Sequence, residues 1–251
     1  MNTGKKTLGL AIGWWAALAL LGPLLWAQGR WARWRTPRLS PPSEPLRGRA
    51  GSGAQDYRLV VLGESPAAGI GVATLEESLP ARMAEELAQR YSRPVSWRSM
   101  AVNGADIRAV LDMQVPQLKA EQPDLVVVVL GVNDTTGLTP RARWRAHLQE
   151  LINAIRAAGS TRILFASLPR MDSFTALPRP LRQALGWRAR LLDADLRQVA
   201  ANVPEVICAA PLPPLTALQL AADRYHPSAA ACRDWAVQLA NHLQRNSEDS
   251  R

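Results

Sequence analysis

The feature that most limits the possible folds of this chain is an alternation of short apolar runs with longer helical stretches, which begins at Tyr57. The third run, PDLVVVVLG, is apolar at every position from 125 to 130 and is typical of a strand buried on both faces. Strands that alternate with helices predict a parallel sheet covered by helices on both sides. The sequence therefore predicts a three-layer α/β/α domain over residues 57–245, with a parallel sheet of about five strands.

The boundaries of the predicted elements follow from these patterns. Strands are predicted at 58–62, 95–100, 125–130, 162–167 and 205–208, and helices at 75–91, 107–121, 141–158, 188–202 and 229–245. Residues 246–251 are predicted to be a C-terminal tail. The stretches 170–186 and 211–220 contain several prolines and do not fit the alternation. Each is expected either to line or cover a substrate groove or to be a plain surface loop.

The N-terminal region contains an uncharged stretch of 21 residues, 7–27, which as a helix would extend about 31 Å, close to the thickness of a bilayer core. It is predicted to be a transmembrane signal-anchor helix after a short tail at 1–6, and a cleaved signal peptide is the alternative. Trp26, Trp31 and Trp34 alternate with arginines at its end, which is typical of a membrane interface. Residues 28–56 are basic and rich in Pro and Gly, which predicts a linker.

The orientation of this span is left open by its flanking charges. Two lysines precede it, and four arginines follow it within a dozen residues. The positive-inside tendency would place the large domain in the cytoplasm, whereas a short tail with two lysines is also typical of exported, anchored domains. We expect a single-pass membrane protein whose domain lies on the periplasmic or outer face, with the cytoplasmic face as the alternative.

The net charge of +9 is concentrated at the N-terminus. Residues 1–53 hold eight basic residues and one acidic residue, so only +2 remains for the rest of the chain. This distribution leaves no basic stripe for phosphates and argues against a nucleic-acid partner. The two cysteines, Cys208 and Cys232, either pair or are free thiols, and three scattered histidines provide no metal-ligand spacing. No cofactor or metal is expected.

Residues that could take part in catalysis occur in four of the predicted loops. Ser65 follows the first strand, Gly104 the second and Asn133 the third, while Asp223 and His226 share one short loop before the last helix. Each of them alone is an ordinary turn residue. Because the carboxyl ends of parallel strands meet at one edge of a sheet, we expect them to gather there as a nucleophile, an activated base and donors for an oxyanion.

In these motifs the chain resembles the SGNH/GDSL hydrolase family, through Gly63-Glu64-Ser65, Gly104, Gly131-Val132-Asn133-Asp134 and Asp223-Arg224-Tyr225-His226-Pro227. The resemblance covers about residues 57 to 245 and implies the flavodoxin-like fold of that family. It also implies Ser65 as nucleophile, His226 as general base and then acid, and Asp223 as the residue that orients it. The oxyanion hole would comprise the N–H groups of Ser65 and Gly104 and the side chain of Asn133. Glu64 departs from the family, which usually has Asp there.

The expected activity is hydrolysis of a carboxylic ester through an acyl-enzyme on the serine. The same triad would serve a carbohydrate O-deacetylase or acyltransferase, and a lysophospholipase or thioesterase. A catalytically silent, membrane-tethered binding domain is the alternative from another class. The substrate is expected to be a small-molecule, lipid or glycan ester, and the acyl chain, the alcohol and the oligomeric state are left open.

Overall fold

The computed structural model describes residues 3–42, 46–160, 162–201 and 203–248, with side chains from residue 19 to residue 243 of these ranges. The described residues form a six-stranded sheet in the order β1-β3-β2-β4-β5-β6. Its strands are β1 (Arg47–Ala50), β2 (Tyr57–Gly63), β3 (Val95–Ser99), β4 (Leu125–Val129), β5 (Ile163–Phe165) and β6 (Val206–Cys208). β1 pairs with β3 in the antiparallel sense, and all other neighbours are parallel.

Helices cover both faces of the sheet. They are α1 (Thr3–Arg35), α2 (Leu79–Tyr91), α3 (Ile107–Ala109), α4 (Val115–Glu121), α5 (Val132–Thr136), α6 (Arg141–Ala157), α7 (Leu181–Ala200) and α8 (Ala229–Glu248), and a π-helical turn, Val110–Gln114, joins α3 to α4. Alternate residues of β4 enter opposite cores, since Val126 and Val128 pack with α6 and α7, while Val127 packs with α2 and α8. The predicted three-layer α/β/α architecture is confirmed, with β4 fully buried at its centre.

The sheet differs from the prediction in being mixed rather than wholly parallel. The extra strand, β1, lies within the segment 28–56 that was predicted as a linker, and that prediction is wrong for residues 47–50. Their sequence, RGRA, has no apolar alternation and gives no strand signal. They pair with β3 because β3 would otherwise present the unpaired N–H and C=O groups of a sheet edge.

The N-terminal helix α1 is longer than predicted at both ends, because it begins within the predicted tail 1–6 and continues through residues 28–35 of the predicted linker. The transmembrane helix predicted at 7–27 is not found, since no helix in the part of the chain that the structure describes is long and apolar enough to cross a membrane. Leu25 and Ala32 are buried in the core formed with α7. Between them, the Gln28 side chain donates to the carbonyl of Arg179 at 2.7 Å and accepts from the N–H of Leu181 at 3.1 Å. The last turns of α1 are therefore docked on the domain.

Three further predicted helix boundaries are wrong. Helix α2 begins at Leu79 rather than at 75, because Leu75–Glu77 form a separate 3-10 turn. Helix α7 begins at Leu181 rather than at 188, so the predicted loop 170–186 ends earlier, at Pro180, which precedes the first helical turn. Proline is tolerated there because the first turn of a helix needs no N–H donor from it. Helix α8 continues to Glu248 into the predicted tail 246–251, and the last three residues of that tail lie outside the described residues.

The order of the strands sets the position of the site. From β2 the chain passes to β3 on one side and later to β4 on the other, so the direction of winding reverses between β2 and β4. In open α/β sheets, ligands bind at the carboxyl ends of the strands beside such a reversal. Ser65 directly follows β2, and Asn133 lies in the helix that follows β4.

Candidate active site

The turn that carries Ser65 depends on the glycine before it. Gly63 ends β2 at φ +136°, and a Cβ atom there would lie 1.8 Å from the carbonyl oxygen of Val129. Only glycine allows this approach between β2 and β4. The side chain of Gln114 holds the same point, because it accepts from the N–H of Gly63 and donates to its carbonyl, both at 2.8 Å. The position of Ser65 is thus set by backbone contacts on both sides of the strand end.

His226 and Asp223 form a tightly bonded pair in the loop before α8. His226 Nδ1 lies 2.5 Å from Asp223 Oδ2, and Asp223 Oδ1 accepts from the backbone N–H groups of Tyr225 and His226, each at 3.0 Å. An ionised carboxylate only accepts hydrogen bonds, so Nδ1 carries the proton, and Nε2 of the neutral ring is left free to take one. The predicted pairing of these two residues is present in the structure.

The ionised form of Asp223 is favoured by its surroundings. Burial by itself raises the pKa of this carboxyl, but the hydrogen bonds from the His226 side chain and from two backbone N–H groups outweigh it and hold the pKa below its ordinary value. The side chain of Asp223 is almost fully shielded from solvent, whereas that of His226 is 16% exposed. The acid is therefore enclosed behind the ring, and the ring faces outwards.

Ser65 and His226 line one cavity of about 280 Å³. Among the described residues, no hydrogen bond joins Ser65 Oγ to His226, so the imidazole touches its acid and has not closed on the serine. Such contacts are often long in ligand-free sites and tighten when a substrate is bound. The structure thus brings the nucleophile and the base to one wall of a cavity without linking them.

The predicted oxyanion donors differ in their surroundings. Within the described chain, the backbone N–H groups of Ser65 and Gly104 donate to no residue. Asn133 Nδ2, in contrast, donates to Glu64 Oε2 at 2.5 Å and to the carbonyl of Ala105 at 3.1 Å. Asn133 and Gly104 lie outside the group of residues that lines the cavity. As far as the structure describes the chain, the two backbone donors have no acceptor, whereas the side-chain donor is held by Glu64 and Ala105.

Glu64 is a buried acid between the nucleophile turn and α5. It accepts from the backbone N–H groups of Val132 and Asn133, each at 2.9 Å, besides the side chain of Asn133. Burial raises the pKa of Glu64 to about 7, because it outweighs the hydrogen bonds, and the charge of Asp134 adds to the rise. The residue that departs from the family pattern thus joins the ends of β2 and β4.

The walls of the cavity are mainly apolar, and both proline-containing loops contribute to them. Phe174 comes from the first loop, and Leu212 and Leu215 come from the second. Both loops thus line a groove, which was one of the two possibilities that their sequences left open. The cavity presents a hydrocarbon-lined space directly beside Ser65 and His226.

Three residues that the sequence analysis did not assign shape the site. Gln114 braces Gly63, as described above. Tyr225 packs its ring edge-on against Phe174 at 5.1 Å and against the His226 ring at 5.2 Å. Gly71, at φ +108°, lies so close to the histidine loop that a Cβ atom there would be 2.4 Å from the carbonyl oxygen of Pro227. Gln114, Gly71 and the Tyr225–Phe174 contact join segments that are distant in the chain, so spacing along the chain carries no signal for these contacts.

The described residues contain no group of three or more His, Cys, Asp or Glu side chains that could hold a metal ion. Cys208 and Cys232 are free thiols. Burial raises the pKa of Cys208 to about 11, which disfavours the nucleophilic thiolate. Neither cysteine is among the residues that line the cavity.

A doubly wound sheet with a serine after its first parallel strand and an Asp–His pair before its last helix defines the serine-hydrolase class of α/β proteins. Within that class, residues 61–233 match the GDSL-like Lipase/Acylhydrolase family, and the chain belongs to this family. The resemblance seen in the motifs is thereby confirmed.

The comparisons with individual proteins agree with this assignment. The chain is 30% identical over 183 residues to the GDSL-like esterase Rv1075c of Mycobacterium tuberculosis (strain ATCC 25618 / H37Rv), a match that covers 70% of this chain and 58% of that protein. A crystal structure of TesA superposes with a TM-score of 0.58 at 20% identity, covering 75% of this chain and 99% of the other. A structure of the esterase EstA from Pseudoalteromonas sp., inhibited by monoethylphosphonate, gives a TM-score of 0.58 at 14% identity, covering 76% and 98%. At these identities, the two structures show a common fold.

Proposed function

We propose that this chain hydrolyses carboxylic esters through an acyl-enzyme on Ser65, with His226 as the base and Asp223 as the residue that orients it. The observation that carries the proposal is the His226–Asp223 pair at 2.5 Å, because a carboxylate that accepts from Nδ1 makes Nε2 the acceptor of the neutral ring, in a cavity that Ser65 also lines. A silent binding domain would have no use for a base held in this tautomer. Family membership supports the same reaction class.

The chemistry follows from these groups. Ser65 Oγ attacks the ester carbonyl while His226 Nε2 takes its proton, and the proton then passes to the departing alcohol. Water, activated by the same nitrogen, releases the acid. The negative charge on the carbonyl oxygen is stabilised by the N–H groups of Ser65 and Gly104, together with the side chain of Asn133. The absence of other acceptors for the two backbone groups, within the described chain, supports this role.

The lining of the cavity favours an ester with a hydrocarbon acyl group. Leu212, Leu215 and Phe174 offer apolar surface, which gains free energy by burying methylene groups at about 0.8 kcal/mol each. An acetylated carbohydrate would place its polar hydroxyls or its very short acyl group against the same walls. We therefore favour esters and thioesters with longer acyl chains, including those of lipids, over O-acetyl glycans.

The test measures turnover of p-nitrophenyl esters of increasing acyl length. Ser65→Ala is expected to abolish turnover while thermal unfolding is unchanged, and Ser52→Ala, at an exposed loop position, is the matched control. Turnover that persists in Ser65→Ala would refute the mechanism. Leu212→Trp is expected to reduce kcat/KM for long acyl chains relative to acetyl, whereas Leu218→Trp, on the exposed side of the same loop, should not. If Leu212→Trp and Leu218→Trp change kcat/KM for long acyl chains equally, the preference for longer acyl chains is refuted.

We also propose that the outer face of α1 contacts an anionic membrane. Docking on the domain leaves Trp26, Trp31 and Trp34 at 68%, 45% and 83% exposure, with Leu20 at 82%. Single exposed apolar residues are ordinary, but such a cluster marks an interaction surface. The guanidinium groups of Arg30 and Arg35 lie over two of the indole rings, at 5.2 and 5.3 Å, and positive charge beside indole rings suits lipid headgroups.

This contact is tested with the full chain reconstituted in vesicles of brominated phosphatidylglycerol, whose bromines quench nearby tryptophans. Replacing Trp26, Trp31 and Trp34 by Phe together should remove a large part of the quenching. The matched control, Trp187→Phe in α7, should leave it unchanged. Quenching that is undiminished in the triple variant would exclude a membrane-facing role for these side chains.

A further inference from the structure

Glu64 occupies a position between the two chain segments that must act together in catalysis. It directly precedes Ser65, and its side chain reaches the first residues of α5. Only 2% of the residue is exposed. Its two carboxylate oxygens accept from the N–H groups of Val132 and Asn133 and from the Asn133 side chain, so all the hydrogen bonds that this carboxylate makes within the described residues go to the segment that carries Asn133.

These contacts decide which way the carboxamide of Asn133 faces. A carboxylate only accepts, so the nitrogen of the amide must face Glu64, and its oxygen must face away. One N–H of Nδ2 goes to Glu64 at 2.5 Å. The other points to the carbonyl of Ala105 at 3.1 Å, in the loop directly after Gly104. The amide therefore spans the distance from Glu64 to the loop that contributes the Gly104 donor.

We propose that Glu64 is a positioning residue, whose ionised carboxylate orients the Asn133 carboxamide so that its second N–H serves the oxyanion. The proposal rests on the ester hydrolysis proposed above and adds a role for the residue that departs from the family pattern. During the reaction, the oxyanion is a stronger acceptor than the neutral carbonyl of Ala105, because hydrogen bonds to charged acceptors are about twice as strong. The second N–H then moves between two acceptors while Glu64 keeps hold of the first.

Protonation of Glu64 would weaken this arrangement. A proton on Oε2 faces the two donors of Asn133 and displaces one of them, whereas a proton on Oε1, which accepts only from Val132, removes the charge that strengthens all three hydrogen bonds. The charged or titratable groups that act on Glu64 are Asp134 on α5 and Tyr225 in the histidine loop, and neither supplies a positive charge. Burial holds the pKa of Glu64 at about 7, so the productive, ionised form is gained as the pH rises through neutrality.

A double-mutant cycle tests whether Glu64 acts through Asn133. Glu64→Gln keeps the size of the side chain but removes its charge and places an NH2 group against either the N–H of Val132 or the two donors of Asn133. Its hold on the carboxamide is weakened, so kcat should fall by up to roughly 10²-fold, the lower end of what loss of an oxyanion donor costs, with KM little changed. In an Asn133→Ala background, the same substitution should cost no more than about threefold, since contacting residues are not additive. Glu77→Gln is the matched control, because that acid also accepts two backbone N–H bonds, at 3.2 and 3.3 Å, away from the cavity.

The pH profile supplies a readout that a merely structural role would not change. If both Glu64 and His226 must lose a proton, the acid limb of log kcat/KM approaches a slope of two, and Glu64→Gln reduces it to one. Glu64→Asp keeps the charge and should keep the steeper limb, with kcat within about tenfold of the parent. The proposal would be overturned if the losses of kcat caused by Glu64→Gln and Asn133→Ala multiply in the double variant. It would also be overturned if the acid limb has the same slope in Glu64→Gln as in the parent. Ser65→Ala measured alongside separates the two proposals, because persisting turnover there refutes the serine mechanism itself.

Discussion

Replacement of Asp223 by Asn separates the effect of the His226 tautomer from the integrity of its loop. Both backbone N–H bonds of the loop go to Oδ1, and the imidazole bond alone goes to Oδ2. An asparagine whose oxygen occupies the Oδ1 position keeps the loop bonds and presents its NH2 group to Nδ1. The histidine must then accept at Nδ1 and carry its proton on Nε2, where it cannot act as a base.

The magnitude follows from the competing orientation of the asparagine. To restore the working tautomer, the amide must turn over and face the N–H groups of Tyr225 and His226 with its own donors. Each buried N–H left without an acceptor costs about 1–3 kcal/mol, so the turn costs about 4 kcal/mol. At 1.36 kcal/mol for each factor of ten, kcat should fall on the order of 10³-fold.

The assay is kcat for a short acyl p-nitrophenyl ester, measured with thermal unfolding of the same samples. Asp112→Asn, which removes the same charge from an exposed helix position paired with Arg108, is the control and should retain full activity. A loss of less than tenfold in Asp223→Asn, with the fold intact, would refute the tautomer argument.

The other predictions concern stability. Gly71→Ala should lower both Tm and kcat, since its Cβ would meet the carbonyl oxygen of Pro227 at 2.4 Å. Gly159→Ala, also at positive φ but with open space around it, should lower Tm slightly and leave kcat unchanged. Equal kcat values for the two variants would contradict this prediction. The pKa values of Glu64 and Asp134 are raised to about 7 and about 6, mainly by burial, so the folded chain binds protons more tightly than the unfolded chain, and the free energy of unfolding should fall as the pH rises from about 4 to 7. Glu64 alone contributes about 3 kcal/mol to this fall, at 1.36 kcal/mol for each pKa unit, and urea unfolding at pH 5 and pH 8 should show a smaller difference in Glu64→Gln; an unchanged difference would contradict the assignment.

Much of the site was predictable because its signals are local in the chain. Asp223 and His226 lie three residues apart, so their contact needs only one tight loop. Ser65 follows a strand whose apolar run is plain in the sequence, and the glycine before it is required by the close approach of β4. The apolar run at 125–129 likewise predicted the central, fully buried strand.

Features that depend on packing were not predictable in the same way. The strand at 47–50 has no apolar pattern and exists because the edge of β3 needs partners. Gln114 reaches Gly63 across 51 residues, and its position within a helical stretch gives no sign of this contact. The docked face of α1 is set by its contacts with α7, although its sequence reads as a continuous apolar stretch followed by tryptophans and arginines.

The sequence by itself thus determined the order of the five parallel strands, the family, and which reactive side chains the chain carries, because hydrophobic periodicity and short motifs act over a few residues. Only the tertiary structure decided that Glu64 holds Asn133 across 69 residues, that the N–H groups of Ser65 and Gly104 have no acceptor within the described chain, and that two distant loops line the cavity. Contacts between such distant segments depend on how the layers pack, and local propensity does not encode them.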